Sequence, residues 1–110
     1  MNKYTCYYTP KGESSKVAML IVSINEDRVC ISTDNISELF EIIDNENFEE
    51  RQKIIDIATE IRDFRAIIDG TYERKTYSDK LINEISGYVY RFMTSLCRKF
   101  KGLTCEHTFE

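Results

Sequence analysis

The chain has no tryptophan, one proline, one histidine and four scattered glycines in 110 residues. With His107 as the single histidine, any histidine-based nucleophilic triad must use that residue. Glycines 12, 70, 87 and 102 form neither a Walker sequence nor a G-x-G-x-x-G loop, so no phosphate cradle is present. No glycine-flanked serine makes a nucleophile elbow. The longest apolar run, Val17 to Val22, falls far short of the roughly 20 residues that span a bilayer. No apolar leader follows Met1-Asn2-Lys3-Tyr4. The expected location is therefore cytoplasmic, with no role at a membrane.

The four cysteines, at 6, 30, 97 and 105, include no closely spaced pair. In a reducing compartment they are expected to remain free thiols that pack as small hydrophobes. Cys6, Cys30, Cys105 and His107 lie in strand-like segments and are the one set from which a tetrahedral zinc site could be drawn. The missing C-x₂₋₄-C knuckle argues against that site. No metal or cofactor is expected, and Cys–His catalysis through His107 is the weakest functional reading.

What is present is a globular composition, 42% hydrophobic and 31% charged, long enough for one domain over residues 1–110. Lys3–Thr9 reads as a strand, rich in Tyr and Thr. Pro10–Ser15 reads as a turn. Lys16–Ile24 contains a near-continuous apolar stretch, which predicts a central strand covered on both faces. Asn25-Glu26-Asp27 is a tight connection, and Arg28–Ser32 completes an antiparallel meander.

The period then changes from 2 to 3.6. Ile36, Leu39, Phe40 and Ile43 predict a short helix, capped by Asp34 or by Asn35 with Glu38 in return. Asn47 and Glu50 offer a second capping box, starting a helix near Phe48. Ile54, Ile57, Ile61, Phe64 and Ile68 form its stripe, and Gly70 is expected to end it. After a loop, Thr71–Ser78, the stripe Ile82, Ile85, Val89, Phe92 and Leu96 predicts a third helix ending at Gly102. The two stripes predict an antiparallel helical hairpin. Gly87, inside the third helix, predicts a bend or the close approach of another element. The tail alternates from Leu103 to Phe109 and predicts a strand returning to the sheet. The fold class is α+β in the order β-β-β-α-α-α-β.

Charge is the strongest outward signal. Asp34–Asp63 carries ten acidic against three basic side chains, while Phe64–Gly102 carries eight basic against four acidic, in a chain of net charge −4. Glu38 and Glu41, with Asp56, Glu60 and Asp63, fall outside the apolar stripes and form the expected docking face for a protein partner with a basic surface. The function expected is therefore non-enzymatic, an adaptor or inhibitor. The Lys/Ile/Asn/Glu-rich composition fits a phage- or mobile-element-encoded antagonist of a nucleic-acid-handling host defence enzyme.

The alternative is a small-molecule or nucleotide sensor, with Tyr72, Arg74, Lys75 and Arg91 holding an anion. Direct nucleic-acid binding is disfavoured by the net negative charge. Opposite charge on one chain also allows self-association, as a homodimer through the helical hairpin.

Overall fold

The alternation and the 3.6-residue stripes resolve into seven elements in the computed structural model, which describes residues 1–26, 28–71 and 78–110. Strands β1 (Asn2–Tyr8), β2 (Val17–Ile24) and β3 (Val29–Ser32) come first. Helices α1 (Ile36–Ile42), α2 (Phe48–Thr71) and α3 (Asp79–Lys99) follow, and β4 (Leu103–Phe109) closes the chain. The expected α+β order is the observed one. All pairings are antiparallel and the sheet order is β3-β2-β1-β4. The returning strand thus joins beside β1, and β1 is central.

Alternation along β1 sends Tyr4, Cys6 and Tyr8 into the core. Lys3, Thr5 and Tyr7 point to the opposite face. Leu20, Val22 and Ile24 sit across from the inward side of β1 and face the same core. Ala18, Ile21 and Ser23, on the other face, are only half-buried. The expectation that β2 is covered on both faces therefore needs correction. The register shifts at Cys6/Tyr7, leaving Met19 unpaired in a bulge. Met19 and Leu20 are both buried, so two consecutive inward residues make a one-sided strand read as a two-sided one.

The helices supply the other half of the core. Ile54, Ile57, Ile61, Phe64 and Ile68 on α2 and Ile85, Val89, Met93 and Leu96 on α3 are buried in one cluster with the sheet. Phe64 joins the two helices, stacking on Phe92 with ring centroids 4.1 Å apart and on Tyr88 at 5.7 Å. An ion pair from Lys99 to Glu60 closes the same seam nearer the sheet. On the other flank of α2, Arg51 donates to the carbonyl oxygens of Phe40 (3.3 Å) and Ile43 (3.4 Å) and to Asn45 Oδ1 (3.1 Å). Residues 51 and 60 are about half a turn out of phase, at about 100° per residue. Helices α1 and α3 therefore lie on opposite flanks of α2.

Some helix ends differ from the sequence reading. Asn35 precedes α1 with helical backbone angles and makes no side-chain cap; its Glu38 capping box is not formed. The second box forms by half: Glu50 N donates to Asn47 Oδ1 at 3.4 Å, but Asn47 N bonds the Asp44 carbonyl at 3.0 Å, and Glu50 Oε2 instead accepts from the Asn47 side-chain amide at 3.4 Å. Helix α2 runs through Gly70 to Thr71, and Gly70 lacks a positive φ, so it is the last-turn residue and not the stop. Ser78 caps α3 by accepting from Leu81 N. Gly102, at φ +89°, makes the reversal from α3 into β4 against the ring of Tyr8.

One polar contact pins the helices to the sheet. Tyr8 Oη donates to Glu50 Oε1 at 2.7 Å, and Lys11 N donates to the same oxygen at 2.8 Å. Glu50 is only 8% exposed, and burial together with the Glu50 bond pushes the Tyr8 phenol above its ordinary range. Tyr8→Phe is expected to lower unfolding stability by about 1–3 kcal/mol, because it removes a donor from a buried carboxylate. That difference should shrink above pH ~10. There unfolded Tyr8 ionises while folded Tyr8 keeps its proton, so wild type alone loses this contribution as pH rises. Urea melts of both proteins from pH 7 to 11 measure it; a difference that grows with pH contradicts the assignment.

Candidate functional site: the groove between α3 and the open edge of β4

The period of 2 in the tail places Leu103, Cys105, His107 and Phe109 on the helix-facing side of β4. Only Leu103 is buried, because α3 stands over the start of the strand and leaves the rest open. Between α3 and β4 lies a groove of about 480 Å³ lined by Tyr90, Thr94, Cys97, Arg98, Cys105 and His107, with Leu103 at one end. Its size falls in the range of ligand and peptide sites.

The ladder decides which backbone groups face outward. Met1 and Glu110 exchange both backbone bonds, and Thr9 N donates to the Gly102 carbonyl at 3.1 Å. Pairing with β1 runs without a shift from Asn2↔Phe109 to Tyr8↔Leu103. Bonded and non-bonded pairs alternate in an antiparallel ladder, so residues 104, 106 and 108 bond to β1. The N–H and C=O groups of Leu103, Cys105, His107 and Phe109 point away from it. Among the described residues, no strand pairs with that outer edge. The edge lacks proline, lysine and a bulge, three devices that blunt one, and its one carboxylate, Glu106, is paired with Lys16.

His107 is held in place. Its ring stacks on Tyr4 with centroids 4.3 Å apart, and Nε2–H donates to Asn2 Oδ1 at 2.9 Å. Cys105 sits directly across from Cys6 and its thiol contacts Met93 Sδ at 3.3 Å. Cys97, one turn after Met93 on α3, completes a sulfur-rich floor. Burial pushes all three thiols up, with Cys97 and Cys105 also raising Cys6. Such thiols are poor nucleophiles at neutral pH. Cys30 does not join them: it is exposed on β3, at the opposite edge. The set Cys6, Cys30, Cys105 and His107 therefore does not converge. Among the described residues, no three His, Cys, Asp or Glu side chains stand together as a metal site.

The expected acidic face is divided. Glu38 and Glu41 are exposed on α1, on one flank of α2. Asp56, Glu60 and Asp63 lie on the other flank, where Glu60 pairs with Lys99 and Asp63 with Arg62 at 3.6 Å. Asp56 accepts from Gln52 Nε2 at 3.0 Å. Of the anion-binding set, Tyr72, Arg74 and Lys75 lie outside the described residues. Arg91 is exposed on α3, and its guanidinium alone comes within 4 Å of where a Gly87 Cβ would be. Among the described residues no other element approaches Gly87, so the close-approach expectation is corrected there.

The sequence reading missed the groove, although the tail alternation did mark the side of β4 that lines it. That Tyr90, Cys97 and Arg98 face this side depends on where β4 inserts. No family model, curated protein or solved structure matches this chain.

With a neutral disulfide-exchange reagent at pH 7, Cys30→Ser should remove the fastest-reacting thiol, and Cys6 should react only on unfolding. A fast phase that survives in Cys30→Ser would mean an activated thiol in the groove.

Proposed function

We propose that this domain is a non-enzymatic protein-interaction module, an adaptor or inhibitor that holds an extended segment of a partner along β4. The observation that carries this reading is the unblunted β4 edge beside the α3 groove. Strand addition at an open edge uses backbone bonds for affinity and flanking pockets for side-chain selection. The groove supplies Tyr90 and Leu103 as apolar contacts and Arg98 as a cation. The raised thiols of Cys97 and Cys105, and the engagement of His107 with Tyr4 and Asn2, support a binding role over a catalytic one.

Selection from a displayed peptide library is expected to yield extended peptides that shift the amide resonances of Leu103, Cys105, His107 and Phe109. Arg98→Glu should weaken acidic members of that set by about tenfold, as loss of a charged hydrogen bond of ~1.4 kcal/mol would. Peptides that leave the β4 amides unmoved would overturn the reading.

A second reading keeps the acidic helices as the docking surface for a basic partner. It is favoured by the exposure of Glu38, Glu41 and Asp56, none of which makes an ion pair among the described residues. It predicts a complex that weakens steeply with salt and is lost on charge reversal at Asp56, or at Glu38 with Glu41, while the fold survives. A complex unaffected by either reversal removes it. The phage-antagonist and sensor readings gain no further observation.

A further inference from the structure

The strand that best fits the open edge is β4 itself. We infer that two copies of this chain pair antiparallel through β4, centred on Glu106, to form one continuous eight-stranded sheet. This inference rests on the edge-docking reading above and names its partner.

The register follows from the outward backbone groups. A two-fold axis at Glu106 sets Leu103 opposite Phe109 of the second copy and Cys105 opposite His107. Every outward-pointing residue of one strand then meets an outward-pointing residue of the other, so the four on each strand can all be used. Shifting the pairing by two residues leaves one of those four unpaired on each strand.

Side chains favour the same register. Phe109 is 78% exposed, a large apolar cost on a strand that, apart from the buried Leu103, is otherwise built of Thr, Cys, Glu and His. Opposite Leu103 of the second copy it enters the groove end formed by Cys97 and Arg98. Glu106 would face its own copy, but Lys16 already holds it at 2.5 Å while lying over the Tyr7 ring. The centre of the interface is therefore a neutral four-charge cluster on the far face of the sheet. The surface differs from the helical hairpin considered from sequence, where Lys99 and Glu60 already pair within one chain. The opposite sheet edge, β3, is four residues long, so pairing stops at two copies.

The register names its own test. Thr104 faces Thr108 of the second copy on the exposed side of the sheet, so charges placed there touch the pairing and not the core. Light scattering across roughly 10–500 µM, the range in which a small interface dissociates, should show the 13.0 kDa chain doubling in mass. Thr104→Lys with Thr108→Lys should raise the dissociation constant about tenfold or more, because like charges meet twice across the axis. Thr104→Lys with Thr108→Glu should restore pairing.

A wild-type dimer that the Lys/Lys variant does not weaken, or that Lys/Glu fails to rescue, overturns the register and with it the inference. A wild-type monomer overturns it outright. In that case, library peptides that still shift the β4 amides preserve the docking reading, while peptides that do not sink both.

Discussion

The carboxylate of Glu50 is the contact on which the arrangement of sheet and helices turns. It opens α2, answers Asn47 at the helix start, accepts from the Lys11 backbone, and takes the phenol of Tyr8 at the end of the central strand. A carboxylate at this depth is costly unless its lone pairs are used. Three donors satisfy it, and they come from β1, from the loop after it and from the turn before α2. Misplacing any of these would leave a buried acceptor short. The contact thus selects one position of α2 on the sheet, where hydrophobic burial alone would accept several.

That position propagates outward. Helix α2 lies along the core with α1 held to one flank by Arg51 and α3 held to the other by Phe64 and by Lys99 with Glu60. Helix α3 delivers the chain through Gly102 to the one free side of β1, and β4 becomes an edge. Because α3 covers the start of β4 and not its end, the edge acquires a groove on its helix side. The same topology explains why the charge asymmetry along the chain is less directional in space. Pairing across the hairpin consumes Glu60 and Lys99, and the acids of α1 and α2 point from different flanks.

Much of the fold was legible because it depends on local periodicity. The stripes at 3, 4, 3, 4 spacing and the alternation of Leu103 to Phe109 each report which side of an element meets apolar surroundings, whatever those are. The reading failed where two effects give the same pattern. Val17–Val22 is continuous because a bulge turns Met19 and Leu20 both inward and the half-buried Ala18 and Ile21 on the other face are apolar too; a run covered on both faces would read alike. Gly70 inside α2 and a C′ glycine are one letter in the sequence; only the backbone angle separates them. The groove was harder still, since Tyr90 and Cys97 on α3 carry no mark of what strand will arrive beside them.

By itself, then, the sequence determined the number, kind and order of the elements and the absence of a recognisable phosphate-binding or nucleophile motif, because those depend on residues near one another along the chain. Tertiary structure alone decided that Cys6 meets Cys105 and not Cys30, that the acids divide between two flanks, and that β4 presents four residues of backbone unpaired among the described residues. Those outcomes depend on strand order. Strand order is set by non-local pairing and by where the buried Glu50 allows the helices to sit, and neither is encoded in any single segment.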